Sequence, residues 1–154
     1  MSLWYRASQS SNIKLVFSGE GGLYTAGRWN HLGRKVIYCS DSISLCTLEW
    51  LSHHGLSVSG FNYYRYVIDI PDDLIHYCLP AHLPDKWNTT PAIDISRDFA
   101  DKHLFSSNSF LALALPSVLV PEEYNLVINP LHQDFIGVMR KVKQLGQHKA
   151  PVRI

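Results

Sequence analysis

The apolar residues of this chain fall into short β-branched runs interrupted by two helical blocks. Leu3–Ala7 reads as an opening strand, and Ser8–Gly33, polar and carrying Gly19, Gly21, Gly22, Gly27 and Gly33, reads as mostly loop. Lys35-Val-Ile-Tyr-Cys39 has the composition of a buried strand, and Ser40-Asp-Ser42 offers N-cap side chains for a helix just after it. Ile43, Leu45, Cys46, Leu48, Trp50 and Leu51, with Gly55 just beyond, predict a mostly buried helix over Ser42–His53. Tyr63–Ile70 before Pro71 and Leu74–Leu79 before Pro80 read as strands. Ile95, Phe99, Ala100, His103 and Leu104 give residues 94–105 helical spacing. Phe110–Leu115 and Asn125–Asn129 read as strands parted by a turn around Pro116–Pro121. Gln144–Ile154, polar with a late proline, predicts a loosely held tail. Helices and strands mix without a βαβ rhythm and without repeats, so the expectation is an α+β domain around an antiparallel sheet.

Composition agrees with that picture. The 154 residues are 46% hydrophobic and 18% charged, with four Trp, eight Tyr and six Phe, which suits one globular domain over residues 1–154. Fourteen Lys and Arg against thirteen Asp and Glu leave a formal charge of +1, too little to mark nucleic acid or an anionic membrane as a partner. Met1-Ser-Leu-Trp-Tyr-Arg6 lacks the layout of a signal peptide and no apolar run approaches the ~18 residues that span a bilayer, so a cytoplasmic location is expected. Cys39, Cys46 and Cys78 show neither a disulfide framework nor Cys-x-x-Cys spacing and read as reduced, buried thiols.

A few residues invite chemistry. Helical spacing places Ser42, Cys46, Glu49 and His53 on one stripe, and a carboxylate there needs a partner, a polar cavity or solvent. Glu49 is equally readable as a solvated residue at the helix edge. Arg28, between Gly27 and Trp29-Asn30, suits a diphosphate through its planar fork, and a surface Arg looks the same in sequence. Tyr38 is either a stacking platform with a free hydroxyl or a core tyrosine with a satisfied one. Ser117 either faces a pocket or bonds local backbone. No His pattern indicates a metal, Gly19-Glu-Gly-Gly22 is not a dinucleotide fingerprint, and neither a Walker motif nor a nucleophile elbow occurs.

Taken in order, Leu3-Trp-Tyr-Arg6, Gly27-Arg-Trp-Asn30 with Gly33, Val36-Ile-Tyr-Cys-Ser40, Leu45-Cys-Thr-Leu-Glu49, Pro116-Ser-Val-Leu-Val-Pro121 and Asn125-Leu-Val-Ile-Asn-Pro130 closely resemble the RES domain family through nearly the whole chain. Two stretches depart from it. Phe99-Ala-Asp-Lys-His103 stands where a Gly-x-x-Trp is usual, and His132-Gln-Asp-Phe135 lacks the proline after the histidine. The resemblance implies an ADP-ribosyltransferase-like fold with antiparallel sheet and flanking helices. It implies a toxin of a bacterial toxin–antitoxin pair that cleaves the nicotinamide–ribose bond of NAD+ by hydrolysis, phosphorolysis or ADP-ribosyl transfer. NAD+ is then substrate, with no prosthetic group. The implied catalytic set is Arg28, Tyr38, Glu49 and Ser117, with Arg6, Trp29 and Asn30 joining Arg28, Tyr38 and Ser117 in NAD+ binding. Implied partners are an Xre-type helix-turn-helix antitoxin and a second copy in a homodimer, with no direct nucleic-acid contact. A non-catalytic nucleotide- or partner-binding module is the competing class.

Overall fold

The computed structural model describes residues 2–151. Its seven strands, β1 Ser2–Ser8, β2 Ile37–Ser40, β3 Asn62–Ile70, β4 Ile75–Tyr77, β5 Ala112–Pro116, β6 Tyr124–Ile128 and β7 Lys143–Lys149, form one sheet in the order β4-β5-β6-β2-β1-β3-β7. The expected α+β class with an antiparallel sheet and flanking helices is what the chain adopts. One pair departs from the expectation. β4 and β5 run parallel, joined through a helix at Asp94–Ala100, so a single βαβ unit is present at one edge.

Strand burial follows from side-chain alternation. Ala112, Ala114, Leu126 and Ile128 join a cluster with Ile37, Tyr66, Ile68, Phe17 and Phe135 on one face. Leu113, Leu115 and Val127 meet Trp29, Val36, Ala100 and Leu104 on the other. With both faces covered, β5 and the Leu126–Ile128 part of β6 are continuous apolar runs and therefore stood out in the sequence. β7 did not. The predicted loose tail is instead, over its residues 144–149, part of an edge strand paired along β3; Val152–Ile154 lie outside the described residues. Its side chains are mostly exposed and a register shift skips Leu145, so it carries no apolar period.

The helices are short: α1 Ile13–Val16, α2 Gly21–Tyr24, α3 Ile43–His54, α4 Asp94–Ala100 and α5 Phe135–Met139. The first two are single turns within the predicted loop, α4 continues as a π-helical turn over Asp101–Phe105, and α5 is a turn the apolar spacing did not announce. In α3 the Ser42 hydroxyl accepts from the Leu45 amide, and Gly55 ends the helix at φ 62°, a conformation that favours glycine. Trp50 of α3 stacks on Tyr63 of β3 at 4.6 Å, which pins the helix across β1 and β3. Glu49, one residue earlier and about 100° around the helix, is thereby turned toward β6.

The sheet has a seam. β1 pairs with β3 over seven positions but with β2 at only one, Tyr5 opposite Ser40. Arg6 spans the divergence, donating from NH1 to the Tyr38 carbonyl of β2 at 2.9 Å and from Nε to the Val16 carbonyl at 3.0 Å. A side chain thus supplies what the ladder lacks.

Candidate active site

A cavity of about 800 Å³ opens at this seam, within the size range of small-molecule sites. Arg6, Arg28, Tyr38 and Glu49 line it, with the glycine-rich segment forming one wall. Ser117 is fully buried and does not line it, although its neighbours Pro116 and Val118 do.

Glu49 is the organised group. Its Oε1 accepts from Ser117 Oγ at 2.8 Å and from Asn125 Nδ2 at 2.7 Å. Ser117 in turn accepts from the amides of Leu119 and Val120, both at 3.1 Å, so its hydroxyl proton is committed to the carboxylate. Glu49 Oε2 has no protein donor among the described residues. The paired reading of Glu49 therefore replaces the solvated one. Ser117 does both things the sequence left open, bonding local backbone and holding the carboxylate.

The two arginines are anchored by carbonyls. Arg28 NH1 donates to Trp87 and Thr89 at 2.9 and 2.8 Å, and NH2 lies 3.5 Å from Thr90 Oγ1. Burial lowers the pKa of its guanidinium from the ordinary value, against a raising influence from Glu49. Burial acts in the same direction on Arg6. Neither has an ion-pair partner among the described residues, so both charges remain available to an anion.

Tyr38, Asn30 and Trp29 build the wall. The Tyr38 hydroxyl donates to Asn30 Oδ1 at 2.6 Å and accepts from the Trp29 amide at 3.2 Å, and burial drives its pKa far above the ordinary phenol value. It is the satisfied tyrosine, packed against the core and lining the cavity. Asn30 Oδ1 also accepts from the Gly27 amide, and Nδ2 donates to the Thr25 and His31 carbonyls. A Cβ on Gly27 would lie 2.6 Å from both Asn30 Oδ1 and the Tyr38 hydroxyl, which accounts for glycine there. Trp29 is 2% exposed and packs between Trp87 and Phe99. Its indole belongs to the core, as does Phe99 of the departing stretch.

Asn125 and Ser40, which the sequence did not single out as site residues, complete the contacts: Ser40 Oγ donates to Asn125 Oδ1 at 2.9 Å. A polar residue opening an apolar strand was the only signal. Cys39, Cys46 and Cys78 are buried free thiols. Among the described residues no helix is long and apolar enough to cross a membrane.

The family model described as RES domain matches residues 3–150. The chain belongs to the RES family. Among its RES relatives is one from Sphingobium sp. (strain YBL2) named "Prs ADP-ribosylating toxin", 37% identical over 148 residues, covering 93% of this chain and 91% of that one. Another, "Toxin Res" of Yersinia enterocolitica serotype O:8 / biotype 1B, is 35% identical over 142 residues, covering 92% and 93%. The fold is also similar to a chain in the crystal structure of the M. tuberculosis MbcT–MbcA toxin–antitoxin complex. That match has a TM-score of 0.63 and 16% identity, with coverage of 98% of this chain and 85% of that one. Membership of RES thus places the chain among proteins named as toxins.

Proposed function

We propose that this RES protein is the toxin of a toxin–antitoxin pair and that it cleaves NAD+ at the nicotinamide–ribose bond, with water as acceptor. The observation that carries the reading is the Glu49 carboxylate, one oxygen held by Ser117 and Asn125 and the other without a protein donor among the described residues, in a cavity that also holds two arginines free of ion pairs. Nicotinamide leaves as a neutral base, so the barrier lies in positive charge growing on the ribose, which a fixed anion stabilises. Water then adds to the ribose carbon and loses a proton, giving ADP-ribose, nicotinamide and H+. Arg28 and Arg6 hold the diphosphate, the Tyr38 ring confines the sugar or the nicotinamide, and Ser117 acts through Glu49. Trp29 and Asn30 shape the wall behind these groups.

The printed name of the Sphingobium relative favours a second reading, in which the ADP-ribosyl group passes to a protein. An Xre-type antitoxin and a homodimer complete the proposal; a chain of similar fold was solved in a toxin–antitoxin complex, which supports the antitoxin partner alone. The test is nicotinamide release from NAD+ by the purified chain, with and without phosphate. Release independent of phosphate supports hydrolysis, and release that requires phosphate with ADP-ribose phosphate as product moves the proposal to phosphorolysis. Label from NAD+ retained on protein supports transfer. No release and no label from folded, antitoxin-free protein refutes an NAD+-cleaving role and leaves a binding module.

A further inference from the structure

Asn125 approaches Glu49 from the sheet. Register places it between Ser40 of β2 and Leu115 of β5, and Ser40 is also the residue at which β1 and β2 make their one pairing. A carboxamide has an accepting end and a donating end. The Ser40 hydroxyl on Oδ1 fixes which is which, and the Nδ2 end falls on Glu49 Oε1. The terminal torsion of a glutamate is broad, and a single donor leaves the carboxylate free to swing about it. Ser117, just beyond β5, and Asn125 of β6 both reach Oε1 and fix the carboxylate plane. Both donors are neutral. The negative charge is therefore oriented without a counter-ion, unlike a carboxylate held by an arginine.

Resting on the cleavage proposed above, we infer that Asn125, locked by Ser40, is a positioning residue for the reaction, fixing the Glu49 carboxylate so that Oε2 meets the ribose in the transition state. Asn125 also borders the cavity, but its Oδ1 is engaged by Ser40 and its Nδ2 by Glu49, so it acts through the carboxylate. Its loss therefore lowers kcat and leaves KM nearly unchanged.

The test compares wild type with Asn125→Ala, Asn125→Asp and Ser40→Ala in NAD+ cleavage across pH, with melting temperature recorded for each. Asn125→Ala is expected to lose about ten- to a hundredfold in kcat, the range for a hydrogen bond to a charged group, with KM within about twofold. Asn125→Asp keeps the shape but sets a second carboxyl against the first. Two such groups share a proton, so the acid limb of the pH–rate profile moves up by about one unit or more. Ser40→Ala falls between wild type and Asn125→Ala. A folded Asn125→Ala with wild-type kcat, or Asn125→Asp with a wild-type pH profile, overturns the assignment. A crystal structure of Asn125→Ala reads the placement without activity: a Glu49 carboxylate rotated or split between rotamers supports it, and one that keeps its plane overturns it. If wild type does not cleave NAD+, the cleavage proposal fails by itself and this arm still decides whether Asn125 places Glu49.

Discussion

Replacing Glu49 with glutamine isolates the charge from the architecture. Gln carries one oxygen that can sit where Oε1 sits, accepting from Ser117 and Asn125, while an amino group takes the place of Oε2. Shape and both hydrogen bonds survive; the anion does not. With an effective dielectric constant of about 20, a unit negative charge about 4 Å from a developing unit positive charge is worth roughly 4 kcal/mol, about a thousandfold in rate. Glu49→Gln should therefore lose about three orders of magnitude in kcat for nicotinamide release, while its melting temperature stays within a few degrees of wild type. Chromatographic quantification of nicotinamide under saturating NAD+, beside a thermal melt, reads both. Glu49→Ala is less informative, because it strips the buried Ser117 hydroxyl and the Asn125 amide of their acceptor and destabilises by about 1–3 kcal/mol as well. A folded Glu49→Gln within tenfold of wild type would refute the electrostatic role.

Other consequences are equally open to measurement. Ser117→Ala removes the acceptor of the Leu119 and Val120 amides together with a donor to Glu49. It should cost about 2–3 kcal/mol, roughly 5–10 °C in melting temperature, as well as turnover; an unchanged melt would contradict the buried network. Arg28→Lys keeps the charge but ends about one bond short of the nitrogen that holds the Trp87 and Thr89 carbonyls, so KM for NAD+ should rise about tenfold and trypsin should cut faster after exposed Lys86. Equal KM and equal cleavage would show that the tether is idle. Burial raises the thiols of Cys39 and Cys46 from 9.0 to about 12 and that of Cys78 to about 11, so native protein at pH 8 should resist alkylation that the unfolded chain undergoes. Above about pH 9 only the unfolded chain sheds these protons, hence stability should fall as pH climbs toward 12; denaturant melts at rising pH check the sign.

What the sequence made legible was local. α3 was framed by Ser42 and Gly55, and β5 and the Leu126–Ile128 end of β6 were visible because burial on both faces leaves an unbroken apolar run. β7 was illegible because an exposed edge strand is held by main-chain bonds to β3, which leave no side-chain signature. The same divide runs through the site. Glu49 could be suspected from a carboxylate amid apolar neighbours, whereas its partners lie 68 and 76 residues away and meet it only through sheet register. Tyr38 was ambiguous because its hydroxyl partner, Asn30, is fixed by the path of a glycine-rich loop. The Arg28 tether depends on carbonyls some 60 residues downstream, and a backbone acceptor has no residue type by which to recognise it.

The single rung between Tyr5 and Ser40 gives the sheet a mechanical character that its seven strands conceal. Most sheets transmit force through many parallel bonds, so neighbouring strands move together. Here the four strands β4-β5-β6-β2 and the three strands β1-β3-β7 share one backbone rung, so side chains join them: the Arg6 guanidinium, and a buried cluster running from Trp4, Tyr66 and Ile68 to Ile37, Ala114 and Leu126. The two halves are therefore joined by packing rather than by the ladder, and the cavity occupies the gap that the missing rungs leave.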